Sequence, residues 1–290
     1  MGPPPMPENG INSINYNAGA AVALNDLNIT ATGLQTTYNA VSTGKLINGP
    51  ATNPAIWATA QRSGSDISAL DAVVQSIQRN QSVNDVAVSA GQQIVDLLNQ
   101  LKAVVTTASD GTTDAASRAE CLTQFKSLVQ QINNTANSAT FNGVNLLNTA
   151  ATGFFALANA SGTMHVTITP KNLTIQQGVA PIAGGFTFTA GAGFASAASA
   201  TTLLAAVNTS VSNITSDVAA LGTNSTNLSN QLTMVQTLQQ GLQGGVSNLV
   251  DADMAKESAQ LQALQAKQQL GVQALSIANA SKSQLLNLFK

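Results

Sequence analysis

The chain has 290 residues, of which 44% are apolar and only 8% are charged, and its formal net charge is −2. Soluble proteins usually carry about 25% charged residues. With so few Lys and Arg residues, the chain is not expected to bind nucleic acid, which requires clustered positive charge. Aromatic residues make up 4%, so the composition favours close helix–helix packing over a thick core around a pocket.

The first ten residues, "MGPPPMPENG", contain four prolines. Prolines do not fit the apolar core of a secretory signal, so residues 1–10 are predicted to be a disordered leader without a cleaved signal. No later segment reaches the ~18–20 continuous apolar residues of a membrane span. We therefore expect no membrane partner. Cys121 is the only cysteine, so an intrachain disulfide is excluded.

A first helix is predicted where apolar or small residues recur every three or four positions up to Val41. Gly44, Gly49, Pro50 and Pro54 in "STGKLINGPATNP" then predict an extended loop. The stripe of this helix, which we expect to pack against other copies of the chain, consists of Ile14, Ala18, Ala21, Leu24, Leu27 and Leu34.

A longer helical stripe follows and keeps the same spacing to Val105. A seven-residue repeat of this length predicts a supercoiled seam. Gln81, Asn84 and Gly91 interrupt the seam, where polar residues weaken packing but can fix the register. The predicted core of this half consists of Ile67, Leu70, Val74, Ile77, Val95 and Leu98.

The middle of the chain changes character after a third helix that is predicted to end near Ser138. In "SATFNGVNLLN" (138–148), Asn142-Gly143 predicts a tight hairpin turn. Residues 149–200 then alternate apolar and polar residues in short runs such as "TMHVTI" and "GGFTFTAGAG" (184–193). This composition is typical of strands and hairpins.

Two helices are predicted to complete the chain. The first has the most regular stripe in the sequence, and its predicted core residues are Val211, Ile214, Val218, Leu221, Leu228, Leu232 and Val235. The second follows "DAD" (251–253), where Asp251 or Asp253 is placed to cap it. Its stripe, also expected to meet other copies, is Met254, Leu261, Leu264, Leu275, Leu285 and Phe289.

The predicted fold is therefore mainly α. Both chain ends form a long antiparallel helical bundle or coiled-coil rod, and a small β-hairpin-rich segment lies between them. Amphipathic helices need tertiary burial in water, and the thin terminal stripes are expected to obtain it from other copies. The chain is predicted to divide into the leader (1–10), a first terminal helix (11–50, paired with 250–290) and the first part of the rod (51–148). The β-rich segment (149–200), the second part of the rod (201–249) and the last terminal helix (250–290) follow.

The sequence lacks the residue combinations that known catalytic and metal sites require. His165 is the only histidine, so a triad or an HExxH zinc site would need residues that are absent. "VSTGKL" (41–46) lacks the first glycine and the final Ser or Thr of a phosphate-binding loop. We predict no catalytic residue, no metal, no cofactor and no enzyme activity.

Four stretches in order resemble bacterial flagellin. They are "INSINYNAGAAVALNDLN" (11–28), "STGKLINGPATNPAIWATA" (42–60), "SATFNGVNLLN" (138–148) and the carboxy-terminal "LVDADMAKESAQLQALQAKQQLGVQALSIANASKSQLLNLFK" (249–290). Trp57, in the second stretch, resembles the pattern of the short alphaproteobacterial members of the family. The loop departs from the family pattern at Pro50 and at Asn53-Pro54.

The resemblance implies a structural subunit that self-assembles into the flagellar filament, outside the cell, for motility. It implies type III export, a helical homopolymer, and an export chaperone, a cap and hook–filament junction proteins as further partners. The terminal stripes would then be subunit interfaces that line an inner tube. Two alternatives stay open, a hook–filament junction protein and a flagellin-like surface protein that binds polysaccharide through residues 149–200.

Overall fold

A computed structural model describes residues 16–148, 153–176 and 185–287. Within these ranges the chain is mainly helical, with short hairpins in its middle, so the predicted fold class is confirmed. The helices are α1 Ala18–Thr43, α2 Pro54–Ser109, α3 Ala115–Ser138, α4 Ala197–Val250 and α5 Met254–Asn287. The strands are β1 Thr140–Phe141, β2 Val144–Asn145, β3 Phe154–Leu157 and β4 His165–Ile168.

The described residues fall into two compact units. The terminal unit lies within 1–64 and 242–290, and the central unit lies within 65–241. Among the described helices, none combines the length and apolar character needed to cross a membrane.

In the terminal unit, α1 and α5 pack together as an antiparallel pair. Asn17 begins α1, where its side-chain oxygen accepts a hydrogen bond from the Ala20 N–H at 3.1 Å. The amide nitrogen of the same side chain donates to the Ala278 carbonyl of α5 at 3.0 Å. One residue therefore caps the first helix and joins it to the last.

Glycines allow these two helices to approach closely. A Cβ atom placed on Gly271 would lie 3.2 Å from Leu27 Cδ1, and one on Gly33 would lie 3.6 Å from Leu264 Cδ1. The contacts pair rising residue numbers in α1 with falling numbers in α5, as an antiparallel register requires. An added Cβ at Gly271 would therefore crowd Leu27, whereas one at Gly33 would make an ordinary van der Waals contact with Leu264.

The α1–α2 loop is joined to the junction between α4 and α5. The Leu46 N–H donates to the Val250 carbonyl at 2.7 Å, and the Ala252 N–H donates to the Gly44 carbonyl at 2.9 Å. Asp253 caps α5, since its carboxylate accepts from the N–H groups of Ala255 and Lys256 at 3.0 and 3.2 Å. The predicted cap in "DAD" is confirmed at its second aspartate.

In the central unit, two residues that interrupt the predicted seam join α2 to α4. Asn84 is fully buried, and its amide nitrogen donates to the Leu221 carbonyl at 3.0 Å. A Cβ atom on Gly91 would lie only 2.7 Å from Val218 Cγ2. Asn84 needs the Leu221 carbonyl opposite it, and Gly91 needs to lie against Val218. Together the hydrogen bond and the close contact define the register of the two helices.

The α2–α3 turn is closed by polar side chains. Arg118 donates to the Ala108 carbonyl at 3.0 Å and to the Thr113 carbonyl at 2.8 Å, which pairs a cation with the end of α2. Hydrogen bonds from the Thr112 N–H and hydroxyl lower the pKa of Asp110. Those from Ser117 lower the pKa of Asp114 in the same way. Both carboxylates therefore stabilise the turn at pH values above the usual pKa of Asp. This contribution is lost as the pH falls through their lowered pKa values.

The predicted turn at Asn142-Gly143 is confirmed. Both residues have positive φ, 51° and 77°, as a two-residue hairpin turn between β1 and β2 requires. Just beyond the turn, the Asn145 amide nitrogen donates to the Ala136 carbonyl at 2.8 Å. The Asn145 side-chain oxygen accepts from the Leu147 N–H at 2.6 Å. Asn145 thus closes the carboxy-terminal end of α3.

Part of the strand prediction for residues 149–200 is wrong. The β3–β4 hairpin exists, but the described part of "GGFTFTAGAG", residues 185–193, forms no strand. Phe186 and Phe188 are buried, and the Phe188 ring lies 5.8 Å from that of Phe125 in α3. The Thr187 N–H donates to the Ser210 hydroxyl of α4 at 2.9 Å. The alternation therefore reflects packing against helices rather than pairing with another strand.

Replacing Gly91 by alanine should destabilise the central unit by about 1–3 kcal/mol, because the added methyl overpacks against Val218. The control is Gly241→Ala in α4, where a Cβ would meet nothing within 4 Å. That change should stabilise by up to about 1 kcal/mol through helix propensity. Urea unfolding followed by circular dichroism measures both, and equal stabilisation by the two variants would contradict the packing at Gly91.

Replacing Asn145 by leucine should cost about 1–3 kcal/mol, because it leaves buried backbone groups without their side-chain partner. The exposed Asn137, one residue before the end of the same helix, serves as the control. Its replacement by alanine should change the free energy of unfolding by less than about 0.5 kcal/mol. A loss for Asn145→Leu no larger than for the control would remove the capping role.

Candidate functional site: the outer faces of the terminal helices

Large apolar side chains remain exposed on both helices of the α1–α5 pair. Ile29 in α1 is 63% exposed and Leu270 in α5 is 67% exposed. Soluble monomers rarely leave such groups together on their surface unless the surface binds a partner. We call this set the outer apolar surface, and it consists of Val22, Leu24, Ile29, Tyr38, Leu270, Val272 and Ile277.

A groove between α1 and α5 is lined by one residue of this set from each helix. It has a volume of about 430 Å³, and both Ile29 and Leu270 line it. Asp26 and Lys267, of opposite sign, also line it, together with small residues such as Gly271. Asp26 is the only charged residue in α1. The groove therefore suits an apolar ridge of another helix better than an ionic ligand.

The structure divides the residues predicted as subunit interface into three groups. Leu27 and Leu264 each contact a glycine of the opposite helix within the same chain. Half-buried members are Ala18, Leu27, Leu34, Leu261, Leu264 and Leu275, whereas Ala21, Leu24 and Met254 are exposed. Ile14, Phe289 and the side chain of Leu285 lie outside the described residues.

Every residue predicted as rod core is buried or half-buried. Leu70, Ile77, Leu98, Ile214, Leu221, Leu228 and Val235 are buried. Ile67, Val74, Val95, Val211, Val218 and Leu232 are half-buried.

Sequence reasoning missed the most exposed apolar residues of the terminal helices. Ile29 and Ile277 fall between the stripe positions, so a search for one helical face passes over them. Their signal was the presence of large β-branched residues at off-stripe positions in helices with few charges. Such residues indicate a second apolar face.

Elsewhere in the described ranges, the side chains that could bind a metal or take part in catalysis do not cluster. No three His, Cys, Asp or Glu side chains there lie close enough to hold a metal ion. The His165 ring packs against Phe155, with centroids 4.3 Å apart. Lys171 and Asp217 form an ion pair at 2.8 Å.

Comparison with known proteins places both ends of the chain in one family. Residues 14–152 match the bacterial flagellin N-terminal helical region, and residues 204–289 match the bacterial flagellin C-terminal helical region. Flagellin FljM of Caulobacter vibrioides is 45% identical over 280 residues, covering 97% of this chain and 99% of that protein. A flagellin of Brucella melitensis is 34% identical over 288 residues, covering 96% and 99%.

A solved structure from Vibrio parahaemolyticus, described as a flagellar hook-associated protein, shares the fold. Its TM-score is 0.52 at 15% identity, and the match covers 69% of this chain and 100% of that one. At this identity the likeness concerns the fold alone, whereas the Caulobacter and Brucella flagellins match over nearly their whole length. The chain therefore belongs to the bacterial flagellin family, and its function is that of a structural filament subunit.

Proposed function

We propose that the chain polymerises through its outer apolar surface into a helical homopolymer, the filament of a bacterial flagellum, outside the cell. The exposure of Ile29 and Leu270 on either side of one groove carries this proposal. In the filament, α1 and α5 of one copy are covered by terminal helices of neighbouring copies. The half-buried leucines of the predicted stripes hold the pair together within each copy.

Apolar burial supplies the free energy of this association. Burying an exposed Leu or Ile side chain contributes about 1.5–3 kcal/mol. Several such side chains per copy offset the ordering and association costs that any interface meets. In a heterologous contact, the exposed face of one terminal helix meets a different face on the next copy, and such a contact continues as a helix when its rotation does not close a ring.

Membership of the family supports a proposal about further partners. We propose that the chain is exported through the flagellar type III apparatus with an export chaperone. We also propose that its filament adjoins hook–filament junction proteins at one end and a cap at the other. The role is mechanical, without catalysis or a cofactor. The two alternative functions, junction protein and polysaccharide binder, are not favoured, because the relatives that match over nearly the full length are flagellins.

Replacing Ile29 or Leu270 by Asp should raise the critical concentration for seeded polymerisation at least tenfold, because a charge enters the surface to be buried. Each monomer should keep its fold, since both side chains are exposed in the free chain. Electron microscopy and sedimentation of seeded samples measure filament mass, and circular dichroism measures helix content.

Two controls accompany these variants. Ile29→Leu keeps the side chain apolar, and Thr32→Asp adds the same charge at an exposed polar position of α1. Both should polymerise much better than Ile29→Asp. Normal filaments from Ile29→Asp and Leu270→Asp would sink the proposed interface.

Assembly should respond to salts as an apolar process does. Ammonium sulfate strengthens apolar burial, so it should lower the critical concentration. Sodium chloride between about 0.05 and 0.5 M only screens charges, and it should change the critical concentration less than twofold. Light scattering of seeded monomer measures both. A strong loss of filaments in sodium chloride would instead indicate an interface dominated by ion pairs.

A further inference from the structure

Helix α4 has no free charge on its exposed surface. Its only charged residue is Asp217, and that carboxylate forms an ion pair with Lys171. Exposed helix faces normally carry charged side chains. The neighbouring helices of the central unit do so, with Asp96 on α2 and Lys126 on α3, both exposed. Removing the outer face of α4 from water therefore costs less free energy than removing a charged face.

Two large apolar side chains lie on this uncharged face. Met234 is 56% exposed and Leu238 is 50% exposed. They continue a row of exposed residues, four positions apart, that begins with Thr226 and Asn230. The Thr226 hydroxyl donates to the Gly222 carbonyl of its own helix at 3.3 Å, so its oxygen is left as an acceptor. We call these four residues the α4 ridge, which is about 18 Å long.

A groove of similar length runs between α2 and α3 of the same unit. It consists of two adjoining cavities of about 400 and 430 Å³, and Gln93 and Thr135 line both of them. Val86 and Leu97 contribute apolar surface to the lining. The lining residues of α2 extend from 85 to 100, a length of about 22 Å. This α2–α3 groove is therefore long enough to receive the α4 ridge.

The charges and hydrogen-bonding groups of the groove complement those of the ridge. Asp85 and Asp96 line the groove, and the described residues around it include no Lys or Arg. A ridge with carboxylates of its own would be repelled, but the α4 ridge has none. The amide of Asn230 can donate to these carboxylates, and the amide of Gln93 can donate to the Thr226 hydroxyl oxygen.

We propose that the α4 ridge of one copy docks in the α2–α3 groove of the next copy in the filament. Ridge and groove are different surfaces of one chain, so each copy offers its ridge to one neighbour and its groove to another. Such a contact is heterologous and has no two-fold axis, in agreement with an open-ended helical polymer. The inference rests on the proposed function, and it adds a contact outside the terminal helices.

A second copy is the occupant because the contact is small and both of its halves are present on every copy. Two apolar side chains and a few hydrogen bonds do not amount to the interface that stable pairs of soluble proteins bury. Copies fixed in a polymer have a high effective concentration, which makes such a contact intramolecular in character.

Cross-linking in filaments tests which surfaces meet. Full-length chains carry Cys121→Ser together with Met234→Cys, with Gln93→Cys or with both, and their filaments react with a short bismaleimide reagent. Gly91 packs against Val218 within one chain, so Gln93 and Met234 of the same chain lie more than about 20 Å apart, beyond the reagent.

The double variant should give a ladder of dimers, trimers and longer products on a denaturing gel, because each copy reacts through both surfaces. An equal mixture of the two single variants should stop at dimers, and either single variant alone should give little product.

A charge variant tests the same contact without cross-linking. Met234→Asp places a carboxylate against the acidic groove, so it should raise the critical concentration for seeded polymerisation at least about threefold. The control is Gln236→Asp, which adds the same charge at an exposed position on a different side of α4. It should polymerise like the unchanged chain. Light scattering measures assembly, and circular dichroism should show that both monomers unfold alike.

The outcomes separate this inference from the proposed function. If the Cys121→Ser chain forms no filaments, the proposed function itself fails. If filaments form but the double variant gives no more product than the single variants, or Met234→Asp assembles as well as Gln236→Asp, the docking is overturned. A ladder that stops at dimers would overturn the heterologous pairing. A full ladder that persists when Ile29→Asp blocks assembly would overturn the dependence on the filament.

Discussion

The close antiparallel packing of the two terminal helices is the constraint on which the assembly surface depends. Leu27 packs on Gly271 and Leu264 packs on Gly33, so each helix supplies both a large residue and the small residue that receives one. Asn17 fixes the same pair through its bond to the Ala278 carbonyl. With these leucines packed inside the chain, large apolar residues such as Ile29 and Leu270 stay exposed on α1 and α5 and are left for another molecule to cover.

The central unit uses a different device to reach a defined register. Its α2–α4 seam contains a buried amide and a glycine where uniform leucines would also have given a helical pair. Asn84 can reach the Leu221 carbonyl only in one alignment, and the contact of Gly91 with Val218 admits no extra methyl. Residues that weaken packing by themselves thereby exclude slipped alignments, as polar seam residues do in coiled coils. A filament subunit requires this uniqueness, because an error in one copy is passed to its neighbours.

The helices, the aspartate cap of α5 and the Asn142-Gly143 turn could be predicted from the sequence, because each depends on local chemistry. The sequence alone shows the spacing of apolar residues, an aspartate before Met254 and a dipeptide that accepts positive φ. The Phe186–Phe188 segment could not be assigned, because alternation records only which side is buried. The residues that bury it belong to helices far along the chain, and so does the Ser210 hydroxyl that pairs its backbone.

The candidate site shows the same limit more sharply. A three–four stripe predicts that one face of a helix is covered, but it does not say whether the cover comes from the same chain. Leu264 and Leu270 are both apolar residues of α5, yet the first packs on Gly33 and the second is 67% exposed. Electron cryomicroscopy of filaments assembled from the purified chain is the most direct test of this division. The account predicts Ile29 and Leu270 within about 4.5 Å of apolar side chains of neighbouring copies; a map in which both side chains face solvent would contradict it.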